Sequence, residues 1–238
     1  MSTTFDLSKP NRTIHAGVIV MGGQVKQLMA NVLTEILDVA PIDFLNGITP
    51  RFWNNGLKGF VPDEYESQTV DIQFHWVSQN GPASPSNLTS GIKLVATDSF
   101  ETCPPLDIVL IGAHAMGYTP DDTELAFVRK AWDDCSAFLT ICGGVLVPLQ
   151  AGILEDKTAT APTIILDNLR KQAPGTNWVT KRWVRDGKLW TSGALLNGTD
   201  MMTNFLKSYW GKSDDSLVGF LSKLGAWPDR DIDYKDVV

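Results

Sequence analysis

A run of five strand-forming residues, Ala137 to Ile141, stops at Cys142 and gives way at once to Gly143, Gly144 and helical spacing through Val145, Leu146, Leu149 and Ile153. A short apolar run bounded in this way reads as a strand buried on both faces. The glycine pair leaves no side chain to obstruct a sharp turn from strand into helix. The sequence therefore predicts an elbow with Cys142 at its tip, its sulfur reachable and facing the first free amides of a helix. Such amides stabilise a thiolate, so a lowered thiol pKa is expected there. The competing reading is a core cysteine, since unpaired Cys is among the most buried residue types.

Around the elbow, strand-like and helix-like segments alternate, the pattern of a mostly parallel sheet covered by helices on both faces. Ile14 to Met21 is the first strand, followed by helix formers from Gln24 to Leu45. Val70 to Ser78 alternates as a half-buried strand does, Ile92 to Phe100 reads as hairpin or edge material, and Leu106 to Ala113 as a central strand. Asp121 or Asp122 can cap a helix that carries Leu125, Val128 and Trp132 on one stripe. A helix from about Ile164 to Gln172 comes next, then a hairpin turning at Asp186-Gly187, and a last amphipathic helix from Asn197 or Thr199 through Tyr209. The residues between Leu45 and Asp71 carry Phe52, Trp53, Phe60 and Tyr65 in a Gly/Asn-rich setting, which suits either a binding lid or a loop packed on its own domain. Those aromatics suggest an apolar substrate. The expected organisation is one domain over residues 1–238, with a core at about 13–210 and a C-terminal helix and polar, mobile tail over 211–238.

A net charge of −7 argues against nucleic-acid or anionic-membrane partners, because attraction to phosphates needs an excess of Lys and Arg. No apolar stretch approaches the length of a membrane span, and the first residues lack a signal-peptide core, so a soluble, cytoplasmic protein acting on a small molecule is expected. The three cysteines, Cys103, Cys135 and Cys142, match no zinc spacing and fit reduced thiols. With three scattered histidines, no metal site and no organic cofactor are expected. His15 and His75 fall in strands and read as structural, and Asp200 reads as support for the last helix. His114 ends a central strand beside the elbow, where ligands bind in open α/β sheets.

The elbow TIC142GG, together with LDVAPIDFL (Leu37 to Leu45), ATDSFETCPPLD (Ala96 to Asp107), QAGILEDKTAT (Gln150 to Thr160) and RWVRDGKLWTSGALLNGTD (Arg182 to Asp200), resembles the ThiJ/PfpI superfamily, and within it the bacterial isonitrile hydratases. The resemblance spans Thr13 to Trp210. It implies a flavodoxin-like three-layer α/β/α sandwich of the class I glutamine-amidotransferase type, a homodimer, and Cys142 as nucleophile. It carries the acid facing the thiol onto Asp38, with Glu35 as the alternative, and an oxyanion-type pocket onto the amides of Gly143 and of Ala113 or His114. The chain departs from the hydratase pattern at Val39-Ala40-Pro41, one residue shorter, and at Gly143, where the hydratases have Thr. Ala159 to Thr163 holds none of the His that many superfamily members place after the elbow helix, and Met21 to Ile36 is longer than the hydratase link. The reaction implied is hydration of an isonitrile to an N-substituted formamide through a thioimidate on Cys142. The alternatives are a glyoxalase- or deglycase-like carbonyl enzyme, which leans on a Cys-Glu-His set, and a non-enzymatic cysteine redox sensor or stress protein.

Overall fold

The seven strands of the central sheet are, in chain order, β1 (Ile14–Ile19), β2 (Ile72–Ser78), β3 (Asp98–Ser99), β4 (Ile108–Ile111), β5 (Ala137–Ile141), β6 (Trp183–Asp186) and β7 (Leu189–Ser192). They lie side by side as β6-β7-β5-β4-β1-β2-β3, all parallel except β6, which runs antiparallel to β7 across the turn at Gly187. This computed structural model describes residues 5–22, 33–115, 117–211 and 213–235.

Every residue of β4 and β5 is buried, as expected of strands with both faces covered. Leu110 and Leu139 face one apolar cluster, completed by Met202 and Phe205 of a helix at Asn197–Trp210. Val109, Ile111 and Phe138 point the other way, onto Val128 of the Asp122–Asp134 helix and Leu166 and Leu169 of the Thr163–Gln172 helix. The strand period of two thus supplies both cores of a three-layer α/β/α sandwich. Among the described residues, the α-helices of four or more residues are α1 (Ile36–Val39), α2 (Ile42–Gly47), α3 (Asp122–Asp134), α4 (Leu146–Gln150), α5 (Thr163–Gln172), α6 (Asn197–Trp210) and α7 (Leu217–Leu224).

Local signals set several boundaries. Asp121, not Asp122, caps α3: its carboxylate accepts the Glu124 amide at 2.9 Å while Glu124 accepts the Asp121 amide at 3.0 Å, a reciprocal capping box. Two differences from the sequence reading, over Gln24 to Leu45 and in the C-terminal tail, have tertiary causes, and two readings left open are decided. The run of helix formers from Gln24 to Leu45 is not one helix, because Leu33–Thr34 pairs in parallel with residues 87–88; residues 23–32 lie outside the described part. The segment Ile92 to Phe100 is divided, Lys93–Leu94 joining that small sheet and β3 edging the large one. The loop between Leu45 and Asp71 is packed down. Trp53 is buried in the core, Tyr65 lies 5.2 Å from Phe220 of α7, and the Gln68 side chain accepts the Leu217 amide at 2.8 Å. Of its aromatics, Phe52 and Phe60 are exposed, at 36% and 89%. Residues 226–235, expected to be mobile, fold back along α6.

Two glycines make the elbow possible. A Cβ on Gly144 would lie 2.3 Å from the Ile111 carbonyl oxygen, and one on Gly112 would lie 2.9 Å from the Asp38 Cβ. At Gly143 a Cβ would meet only the Ala113 Cβ, at 3.4 Å, an ordinary contact. We therefore expect Gly144→Ala to destabilise the protein by about 3 kcal/mol or more, through backbone displacement at β4. Gly143→Ala should stay within about 1 kcal/mol of the parent, and thermal melts of the two variants check the ranking.

Candidate active site

Cys142 follows β5 directly and has φ 58°, a left-handed conformation that a residue with a side chain adopts only when its surroundings enforce it. Here the Cys142 amide donates to the Gly193 carbonyl at 2.9 Å, just beyond β7. The following turn, Cys142–Val145, then runs into α4. The predicted elbow is therefore formed, and its tip stands between the ends of β4 and β7.

Asp38 reaches this tip from α1. The Glu35 amide donates to the Ala113 carbonyl at 3.0 Å, and the Ala113 amide donates to Asp38 Oδ2 at 2.9 Å, so α1 is tied to the end of β4 at two points. Gly112 lets the two backbones approach. Asp38 is wholly buried, and its second oxygen, Oδ1, has no conventional donor among the described residues. The group it meets across the site is the Cys142 thiol. Burial pushes the Asp38 carboxyl up to about 7; the Ala113 amide and the thiol oppose the shift and the Glu35 charge adds to it. Glu35, the alternative acid, turns aside to accept the Thr89 hydroxyl at 3.1 Å. The missing residue before Pro41 does not displace Asp38 from the sulfur.

The thiol departs from expectation. Its pKa is raised, first by burial and then by the Asp38 charge, and these outweigh the backbone amides of Leu195 and Gly143, which favour the anion. An isolated elbow lowers a thiol pKa; an elbow sharing its cavity with a buried carboxyl does not. Two interacting acids of this kind lose their protons as a pair: one near 7 and the other above the ordinary thiol value. Between those limits the pair holds one proton, on sulfur or on oxygen.

The amide pocket also differs from the sequence reading. Gly143 supplies one amide, as expected, but the Ala113 amide is occupied by Asp38, and the second amide at the sulfur belongs to Leu195. Leu195 carries a φ of 34°, strained for a side-chain-bearing residue, and no sequence signal marks it apart from its place just after Gly193. His114 follows Ala113 at the end of β4. Its ring stands edge-on to Tyr118 at 5.3 Å, burial lowers its pKa, and its Nδ1 is buried without a partner among the described residues. Tyr118 in turn donates to the buried Glu124 carboxylate. His15 and His75 are bonded to one another at 3.0 Å, and His75 to Asp98 at 3.0 Å, on the β1–β2–β3 side of the sheet. Among the described residues, no cluster of three His, Cys, Asp or Glu side chains could hold a metal ion.

The DJ-1/PfpI family profile matches residues 61–208 of this chain. The chain belongs to the DJ-1/PfpI family. Isonitrile hydratase of Pseudomonas putida is 31% identical over 159 residues, spanning 66% of this chain and 68% of that protein. A ThiJ/PfpI family protein of Pseudomonas syringae superposes with a TM-score of 0.68 at 16% identity, over 95% of this chain and 80% of that one. Drosophila melanogaster DJ-1beta gives 0.65 at 15% identity, over 91% and 100%. These structures share the flavodoxin-like fold of the DJ-1/PfpI family. Among the described residues, no helix is long and apolar enough to cross a membrane.

Two outcomes follow from the coupled pair. Burial and neighbouring charges push Cys103 and Cys135 up to about 12, and neither sits at an elbow, so limited iodoacetamide treatment at pH 7.5 should label Cys142 first in peptide maps. Because the folded-state pKa of Asp38 lies above its unfolded value, the native protein binds more protons between about pH 4 and 7, and stability falls as pH rises through that window. Linkage puts the loss at about 4 kcal/mol by pH 8 as an upper figure. Asp38→Asn should therefore raise the melting temperature at pH 8 much more than at pH 4. It should also speed Cys142 alkylation at pH 7.5, since the opposing charge is gone.

Proposed function

We propose that this protein hydrates an isonitrile to an N-substituted formamide, with Cys142 as nucleophile and Asp38 as the group that gives and takes its proton. The observation that carries the reading is the buried Asp38 carboxyl, its pKa pushed up to about 7, facing the thiol of a strained elbow. An isonitrile carbon accepts a nucleophile and then needs a proton at that same carbon. A thiol and a carboxyl that share one proton at one place supply both. The 31% identity to a hydratase supports the same reaction. The stretch Ala159 to Thr163 supplies no histidine, which weighs against a Cys-Glu-His carbonyl enzyme.

In the reactive form the proton lies on Asp38 and the sulfur is a thiolate, stabilised by the Leu195 and Gly143 amides. The sulfur attacks the terminal carbon, forming a C–S bond, and Asp38 delivers its proton to that carbon to give the thioimidate S–CH=N–R. Asp38, now a carboxylate, takes a proton from water as the hydroxide adds to the carbon, and passes that proton to nitrogen. The C–S bond then breaks as the new hydroxyl loses its proton to Asp38. Formamide leaves, and the thiolate and the protonated carboxyl are restored. The sum is one water added to one isonitrile.

A para-substituted phenyl isonitrile should be converted to its formamide over many turnovers, followed by mass spectrometry. Cys142→Ser should abolish conversion, and Asp38→Asn should reduce it by roughly 10²–10⁴-fold. The one-proton pair forms above about pH 7, so kcat/KM should rise through pH 7 to a plateau and fall again once the pH passes the raised thiol pKa. Rapid lactate formation from methylglyoxal without formamide would instead make the protein a carbonyl enzyme. Oxidation of Cys142 with one equivalent of peroxide and no turnover of either substrate would make it a sensor.

A further inference from the structure

Residues 226–235 have no helical or strand periodicity, and they lie beyond the 61–208 span matched by the family profile. They are nonetheless anchored at Trp227, Asp229, Arg230, Ile232 and Tyr234. The Trp227 indole stacks on Phe44 of α2 at 4.4 Å. Asp229 accepts Asn204 Nδ2 at 2.9 Å and Lys207 Nζ at 2.6 Å, both from α6. The Arg230 amide donates to Asp200 Oδ1 at 2.8 Å and its guanidinium to Asp200 Oδ2 at 2.6 Å. Asp200 is wholly buried, and through Arg230 it ties the tail to α6. Further on, the Arg182 amide donates to the Ile232 carbonyl at 2.8 Å.

The last of these anchors reaches the site. The Tyr234 hydroxyl accepts Asn197 Nδ2 at 2.7 Å, and its ring lies under the Arg182 guanidinium at 4.6 Å. Arg182 also donates to Asn197 Oδ1 at 3.1 Å, which fixes the Asn197 amide with its NH₂ toward Tyr234. A Cβ on Gly193 would sit 2.6 Å from the Tyr234 hydroxyl oxygen and 2.8 Å from Asn197 Nδ2. The tyrosine hydroxyl therefore occupies the space that a side chain at residue 193 would fill. Gly193 is the residue whose carbonyl holds the Cys142 amide, and two residues later comes the strained Leu195, whose amide faces the sulfur. Arg230 closes the far side of the same turn, donating to the Leu196 carbonyl at 3.2 Å.

We propose that residues 227–234 form a strap that holds the turn 193–196 against Cys142, with Tyr234 as its positioning residue. The turn is a short stretch carrying a left-handed Leu, a conformation that relaxes unless packing enforces it. The tail supplies that packing from behind, and through it the Leu195 amide stays on the sulfur. The consequence concerns the thiol itself and stands whether or not the substrate is an isonitrile.

The test is the pH profile of Cys142 alkylation by iodoacetamide, read by peptide mass, in Tyr234→Phe, Tyr234→Ala and the control Lys235→Ala. Lys235 makes only exposed ion pairs, at 3.6 Å to Asp233 and 3.7 Å to Asp231. Loss of the strap should let Leu195 relax, withdraw an amide from the thiolate and slow alkylation at pH 7 by about three- to tenfold in Tyr234→Ala. Tyr234→Phe, which keeps the ring beneath Arg182, should fall between that variant and the parent, and Lys235→Ala should match the parent. An unshifted profile in Tyr234→Ala would overturn the proposal, whether its melting temperature is native or lowered, because the tail would then serve stability alone. An equal shift in Lys235→Ala would also overturn it, by making the effect one of general charge.

Discussion

A left-handed backbone at Cys142 has to be enforced, and the way it is enforced organises the rest of the molecule. The residue has φ 58° with a side chain attached, a conformation that costs of order 1–3 kcal/mol in isolation. Three neighbours impose it. β5 delivers the residue between two parallel strands, the Gly193 carbonyl captures its amide, and Gly144 presses against the carbonyl of Ile111. The groups that meet the elbow from outside, Ile111 and Gly193, come from distant parts of the chain. The elbow therefore exists only once the sheet has closed, and the sulfur is presented by the fold and not by the local turn.

Around that sulfur two opposing electrostatic influences are superimposed. Backbone amides from Gly143 and Leu195 favour a thiolate, whereas burial and the Asp38 charge disfavour it, and the second pair wins. An arrangement built only to make a reactive thiolate would place a cation or a histidine beside the thiol. This one places a carboxyl there, ties one of its oxygens to the Ala113 amide and leaves the other without a conventional donor. Such a pair is poor at holding two charges and good at moving one proton between two atoms. That property suits chemistry in which nucleophile and proton donor act on the same carbon.

The protein ionises this pair at a cost in stability, since a buried carboxyl with a raised pKa weakens the fold at neutral pH. Elsewhere buried carboxylates are fully partnered. Glu124 accepts two amides and a tyrosine hydroxyl, Asp107 takes a bidentate Arg12, and Asp200 is clasped by Arg230. Asp38 stands apart from these three because its partner besides the Ala113 amide is the Cys142 thiol, which separates a carboxylate that holds structure from one disposed to exchange a proton.

Much of this was legible in the linear chain. The continuous apolar runs at Ile108–Ile111 and Ala137–Ile141 determine strands buried on both faces, and hence a layered α/β fold, because a side-chain period of two cannot bury every residue otherwise. The Cys-Gly-Gly sequence after such a strand signals an elbow, and Gly144 is where a side chain would not fit against the neighbouring strand end. Asp38 was legible through its motif, although its proximity to Cys142 depends on 75 residues of separation to Ala113 being closed by the sheet. Other features were decided by tertiary structure alone. Leu195 is an ordinary apolar residue until the fold gives it a φ of 34° beside the sulfur, and the tail looks solvated until Asp200 is found buried beneath it. The direction of the Cys142 pKa belongs to the same class, for local sequence encodes the amides that lower it, whereas burial and a distant carboxylate, which raise it, arise only when the chain is folded.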